Sequence, residues 1–415
     1  MHSTHAERSL NTIHGGDART TPYAGAAARL RHEVTGVAES PLVQIATAAE
    51  GMPGSVKLCY GESDVATPEF ICRAAGEAAL AGHTFYTHPA GYPELREAIA
   101  TKVNELHGLS YRPSEVMSTV GASMGIFTAV RACVGPGDNA VVVSPAYAIF
   151  VNAVTMAGAE ARSVPLERGG ARFHLDVDRV RDAIDRNTRL LIVNSPSNPT
   201  GWVISVDEQR ALAELAERSG ARILADEVYE RLVYDTPIAP SFARVVPDKD
   251  RLIVINSFSK TYNMTGWRLG WVQSSEAVVG QMCKAAEFIT SNATAIVQQA
   301  GIVALRDGEP YVRELQVQYA ERRTQVMRAM SQIPGLSLPH PDGAFYAFPR
   351  IEGLTSSAAF TLDLLRNTGV ALAPGSAFGE SGEGYVRLCF AASEANLARA
   401  LKRLSVHVQR TRHST

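Results

Sequence analysis

The chain has 415 residues, 46% of them hydrophobic and 20% charged, which suits two or three folding units and excludes disordered, collagen-like and low-complexity proteins. Its 40 Lys plus Arg balance 42 Asp plus Glu to a net charge of -2, so it has no basic stripe for phosphate backbones and nucleic acid is not an expected partner. Five scattered cysteines form neither a CxxC pair nor a Cys/His ligand cluster, so no metal site is expected and the thiols read as reduced and buried.

The N-terminus has no apolar core of a secretory signal, and residues 1–28 read as a loosely ordered polar arm. Two charge-free stretches, 139–159 and 288–305, are broken by Pro, Gly and polar residues and are not expected to span a bilayer. The expectation is a cytoplasmic protein. In chain order, a helix opens at Pro93, a favoured first position, with Leu95, Ile99, Val103 and Leu106 on one face. Short apolar runs follow at 140–143, 190–193, 222–225 and 252–255. They do not alternate, as expected of parallel strands buried on both faces. Between the second and third lies a helix that starts with the capping box Ser205-Val-Asp-Glu208 and stops at Gly220. The run 269–272 is only about a dozen residues beyond Ile255 with no helix between, which points to an antiparallel strand. After Asp307 come a long amphipathic helix over about 311–333, strand-like text at 344–348, a helix near 357–367, a strand at 385–390 and a last helix from Ser393. The expected division is an arm 1–28, a large domain 69–306, and a smaller α+β domain of residues 307–415 completed by 29–68.

The strand ends carry the chemistry. The four apolar runs lead into Ser144-Pro-Ala-Tyr147, Asn194-Ser-Pro-Ser-Asn198, Asp226-Glu-Val-Tyr229 and Asn256-Ser-Phe-Ser-Lys260. Open α/β sheets bind ligands outside these carboxyl ends, so hydroxyls, amides, an acid and an amine are expected in one crevice. Lys260 flanked by small hydroxyls, with Arg268 eight residues on, suits an imine-forming amine beside a bound phosphate, and spacing alone reaches no further than a phosphate-binding loop. The Gly-rich segment Val120-Gly-Ala-Ser123 opens a helix that either holds an anion at its N-terminus or simply begins there. Arg387 interrupts a buried strand and needs either a bound anion or a structural carboxylate.

Read together, Ser257-Phe-Ser-Lys260 to Arg268-Leu-Gly270, Tyr86-Thr-His-Pro-Ala-Gly91, Asn198-Pro-Thr-Gly201, Asp226-Glu-Val-Tyr229 and Gly343-Ala-Phe-Tyr346 resemble, in order across about 300 residues, the motifs of fold type I aminotransferases of class I and II. The resemblance implies a large α/β domain with a mostly parallel seven-stranded sheet covered by helices, plus the smaller domain. It implies pyridoxal 5'-phosphate as cofactor and a ping-pong transfer between an L-amino acid and a 2-oxo acid. A lyase, cyclising synthase or oxidase using the same scaffold is the alternative; a transcription regulator is excluded because no helix-turn-helix precedes the large domain.

Residue by residue, the resemblance makes Lys260 the Schiff-base lysine and proton shuttle, with Arg268 the nearby cation that lowers its pKa. Asp226 pairs with the pyridine nitrogen, and Tyr229 and Asn198 reach the ring oxygen. Tyr147 stacks on the ring, an aromatic that reads equally as core filling. Ala122, Ser123, Ser257 and Arg268 hold the phosphate. Gly61 and Arg387, with Asn198, meet the substrate. Tyr86 reaches the phosphate of a neighbouring subunit, so a homodimer with shared sites is implied. Ser123 stands where one bacterial aspartate-specific subgroup has a Lys, so a dedicated aspartate enzyme is not expected unless Arg29 or Arg31 replaces that charge.

Overall fold

Every apolar run noted above becomes a strand of one seven-stranded sheet. Its strands are β1 (Val116–Thr119), β2 (Asn139–Ser144), β3 (Glu160–Pro165), β4 (Thr188–Asn194), β5 (Arg222–Asp226), β6 (Leu252–Ser257) and β7 (Gly270–Gln273), in spatial order β1-β7-β6-β5-β4-β2-β3. The five strands from β6 to β3 run parallel. β7 is antiparallel to both its neighbours, as its short connection requires. Alternate residues serve opposite faces: Val141, Leu191, Ile223 and Val254 enter one core, and Val142, Ile192, Leu224 and Ile253 the other. Both faces are dry, which is why these segments read as continuous apolar text. The edge strands β1 and β3 were not evident, because VMST and EARSVP contain no such run.

The structure is a computed structural model and describes residues 30–412, so the expected arm 1–28 and Arg29 lie outside the described residues. Residues 30–38 form a unit whose one regular element is the helical turn His32–Thr35. In the remainder, helices cover the sheet. Val206–Ser219 has both halves of its capping box and a left-handed Gly220 at its end. Pro93–His107 buries Leu95, Ile99 and Val103, but its inward face ends on His107, with Leu106 only half-buried.

Beyond the helix Ala295–Asp307, the long helix Glu309–Ser331 buries Val312, Leu315, Tyr319, Val326 and Met330, all on the expected face. The following text folds into very short ladders. Tyr346–Ala347 and Ala373–Pro374 flank Val386–Cys389, each antiparallel to it, so that Arg387 sits on a central strand. Val56–Lys57 pairs in parallel with Val370–Ala371, bringing the segment after residue 55 to the C-terminal part of the fold. Among the described residues no helix is long and apolar enough to cross a membrane.

Candidate active site

The carboxyl ends of β4, β5 and β6 deliver their polar residues to one place. Asp226 closes β5 and is buried. One carboxylate oxygen accepts the N–H of Val228 at 3.1 Å, and among the described residues no cation lies within ion-pair distance. Burial therefore pushes its pKa up to about 7, with Lys260 pulling weakly the other way. Tyr229, one turn later, is buried with its hydroxyl 2.6 Å from that of Tyr346. Each phenol is held above its ordinary value by burial.

Lys260 sits on the short turn Phe258–Thr261, which the Ser257 side chain caps by accepting the Ser259 N–H at 3.0 Å. The part-buried amine donates to the Gly61 carbonyl at 2.6 Å and stands 5.7 Å from the Tyr229 ring centre. Its pKa falls to about 8, chiefly through burial; the cation that adds to the effect is Arg387, where the sequence pointed to Arg268. Gly61 is required by close approach, since a Cβ there would overlap the Tyr346 hydroxyl.

Arg387 is 2% exposed and has no carboxylate partner among the described residues. It donates to Asn198 Oδ1 at 2.7 Å and to the Cys59 carbonyl, and its guanidinium lies over the rings of Tyr346 and Phe378, 4.6 and 4.8 Å from their centres. Its Nε has no acceptor. Among the described residues the structural-carboxylate reading of Arg387 finds no partner, which leaves the bound-anion alternative.

Arg268 is exposed, in the left-handed region at φ 55, and donates to the Thr265 carbonyl at 2.8 Å. Its guanidinium packs on Gly121 so closely that a Cβ there would overlap it. Gly121 starts the helix Gly121–Cys133, whose N-terminus, followed by Ala122 and Ser123, has no side-chain cap. A Cβ on Gly270, across the ladder from Ser257, would come within 2.9 Å of the Ala122 nitrogen. An uncapped helix start, a guanidinium with no carboxylate partner among the described residues and the Ser257 hydroxyl thus share one corner.

Two expected residues lie at the margins. Tyr147 is 41% exposed after the end of β2, packed edge-on against Phe150, so it is not core filling. Tyr86 is 90% exposed and makes no hydrogen bond to the other candidate residues. Sequence reasoning assigned no role to Tyr346, although it quoted the motif containing it. It missed Cys59 and Phe378 around Arg387, and also His107 and Glu230, and it quoted Asn256 as a strand-end residue without assigning it a role; a histidine on the apolar face of the helix from Pro93 was the one available signal. The fold also gathers Asp235, His340 and Asp342, with Arg323 and Arg172 already paired to the two carboxylates.

Comparison with known proteins gives a consistent result. The family model for aminotransferase class I and II matches residues 53–404. An aspartate aminotransferase of Pyrococcus horikoshii is 36% identical over 371 residues, 89% of this chain and 94% of that protein. An aromatic-amino-acid aminotransferase of Thermococcus litoralis is 37% identical over 361 residues, 86% and 92% of the two chains. Among solved structures, the N-succinyldiaminopimelate aminotransferase of Mycobacterium tuberculosis superposes with a TM-score of 0.87 at 32% identity, covering 91% of this chain and all of that one, 100%.

The Asp226 carboxyl yields a stability test. Its native pKa, about 7, exceeds the ordinary 3.8, so the native state binds the proton more tightly. The stability it contributes is complete below pH 4 and is lost as pH rises through 7. Asp226→Asn keeps the acceptor for Val228 and removes that loss. Without added cofactor, its gain over wild type in chemical denaturation should be larger at pH 8 than at pH 5 by about 2 kcal/mol. Equal gains at the two pH values would contradict the assignment.

Proposed function

The chain belongs to the aminotransferase class I and II family, and on that premise we propose that it transfers the amino group of an L-amino acid to a 2-oxo acid using pyridoxal 5'-phosphate. The observation that carries this reading is the Lys260 amine, depressed to about 8 and set near a buried acid that has no cation. The residues fit the cofactor. Lys260 would carry it, Asp226 would receive the protonated ring nitrogen its burial leaves wanting, and Asn198 and Tyr229 would face the ring oxygen. Ser257, Arg268, Ala122 and Ser123 would hold the phosphate at the helix start, where Gly121 lets the Arg268 guanidinium approach. Tyr147 would lie on the ring face.

When bound, the group supplies an electron sink for the charge left on substrate Cα. The protein does the rest. Arg387, lacking a carboxylate and completed by Asn198, binds the substrate carboxylate and orients its Cα hydrogen. Lys260 Nζ would be the base that takes that proton. Near pH 8 half of such amines are unprotonated, so the base is available without losing its basicity. The Gly61 backbone closes the site over Nζ.

We propose domain boundaries near residues 68 and 306, supported by the pairing of Val56–Lys57 with Val370–Ala371. The proposed setting is cytoplasmic. A homodimer with shared sites is supported by Leu80, Phe85 and Tyr86, exposed at 92, 79 and 90% within one short stretch, where Tyr86 would serve the partner's phosphate.

Three results are expected. Wild type takes up pyridoxal phosphate with a new visible absorption band, and Lys260→Ala folds but loses that band and at least about 10⁴-fold in turnover. Light scattering reports a dimer, and an active monomer would refute the role of Tyr86. The third concerns substrate. Ser123 cannot neutralise a second carboxylate, Arg31 is paired with Glu33 at 3.3 Å, and Arg29 is outside the described residues. Neutral or aromatic amino acids should therefore match or exceed aspartate in half-reaction kcat/KM. An aspartate preference of about a hundredfold, about 2.7 kcal/mol, would show that another cation does this work.

A further inference from the structure

Beneath Lys260 runs a buried polar chain for which amino transfer has no direct use. His107, 6% exposed at the end of the helix Pro93–His107, places Nε2 2.8 Å from Glu230 Oε2. Glu230, also 6% exposed, accepts the Asn256 side-chain amide on its other oxygen at 2.7 Å. Asn256 Oδ1 in turn accepts the backbone N–H of Ser257 at 2.7 Å, and the Ser257 hydroxyl caps the turn that holds Lys260. Glu230 lies four residues beyond Asp226, with its N–H bonded to the Glu227 carbonyl at 2.9 Å. One carboxylate thus joins the ends of β5 and β6, the two strands that bear Asp226 and Lys260.

The direction of these bonds matters. An ionised carboxylate only accepts, so Glu230 must face the NH2 end of Asn256, which turns the carbonyl end toward Ser257. With the amide reversed, two acceptors would meet and the buried Ser257 N–H would face a donor. Burial lowers the His107 imidazole pKa, and the hydrogen bond to Glu230 with the charges of Glu230 and Glu227 more than offsets burial and Arg244, so the net shift is upward. A bond to each oxygen leaves Glu230 little freedom to rotate.

We infer that Glu230 is a positioning residue: backed by His107, it orients the Asn256 amide and thereby sets Ser257 and the Lys260 turn against Asp226. The inference rests on the reading of Lys260 and Ser257 as cofactor-holding residues. It separates four variants. Glu230→Gln keeps an acceptor for Asn256 and has a donor left for neutral His107. Glu230→Ala keeps neither. Asn256→Asp sets two carboxylates face to face. Glu230→Gln combined with Asn256→Asp reverses the polarity of the pair yet still offers Ser257 an acceptor.

Pyridoxal phosphate affinity measured by visible absorbance, kcat and KM for a reactive amino acid, and the melting temperature of each protein decide the matter. Glu230→Ala and Asn256→Asp should each weaken cofactor binding about tenfold and lower kcat about 100-fold, with amino-acid KM within about threefold. Glu230→Gln should remain within about threefold of wild type, and the double variant should recover most of the Asn256→Asp loss. Should Glu230→Ala fail to fold, the Asn256→Asp pair still decides. A wild type that binds no pyridoxal phosphate would refute the function proposed above rather than this network. A wild type that binds it, with Asn256→Asp unaffected or the double variant no better than Asn256→Asp, overturns the inference. So would losses that simply follow melting temperature across the set.

Discussion

A part-buried Lys260 amine with a carbonyl and no carboxylate as its acceptor is the constraint around which the site is arranged. Its acceptor is a neutral carbonyl, that of Gly61, which stabilises an ammonium less than a carboxylate would, and the nearby Arg387 charge opposes the proton further. Bringing that carbonyl to 2.6 Å requires a glycine under the Tyr346 hydroxyl and a segment that cannot drift. The segment is tied down on both sides. Leu58 bonds Ala371 and Cys389 through its backbone at 2.9 and 3.0 Å, and Asp64 accepts from Ser393 and Asn396 at the head of the last helix at 2.8 and 2.9 Å. Ala371, Cys389, Ser393 and Asn396 thus anchor the segment that places the Gly61 oxygen.

Two buried charges are left incomplete. Among the described residues Arg387 has aromatic faces, an amide and a carbonyl but no anion, and Asp226 has a backbone N–H but no cation. Each carries a desolvation cost of several kcal/mol that its neighbours only partly offset; a desolvated cation–π contact returns about 2 kcal/mol. No ion pair joins them, and Asn198 Oδ1 accepts from the arginine. A chain selected for stability alone would not keep such a pair. In the proposed function, the substrate carboxylate and the cofactor ring supply the missing partners, so stability forgone in the free protein becomes binding specificity.

The corner where Arg268 meets the start of the helix Gly121–Cys133 depends on strand order. β7 returns antiparallel between β1 and β6, which sets Gly270 across from Ser257 and brings Arg268, just before it, over the start of the helix that follows β1. A parallel strand in that slot would have delivered its far end there. Gly121 and Gly270 are small because backbone, guanidinium and helix start meet without room for a side chain.

The central strands, the capped helix Val206–Ser219 and the amphipathic face of Glu309–Ser331 were legible in the sequence, because burial on both sheet faces or on one helix face imposes a pattern on consecutive residues. The ordered motifs likewise marked Lys260, Asp226, Asn198 and Arg268 as candidates, and the charge interrupting a buried strand marked Arg387. The edge strands β1 and β3 and the two-residue ladders around Arg387 were not legible, since so short a pairing leaves no period to read. Nor was the partnership of Tyr229 with Tyr346, or of His107 with Glu230 and Asn256, residues separated by more than a hundred positions or by a strand. Local burial is written along the chain; which buried polar group meets which is decided only when distant elements pack, because a hydrogen bond depends on position in space and leaves no trace in sequence spacing.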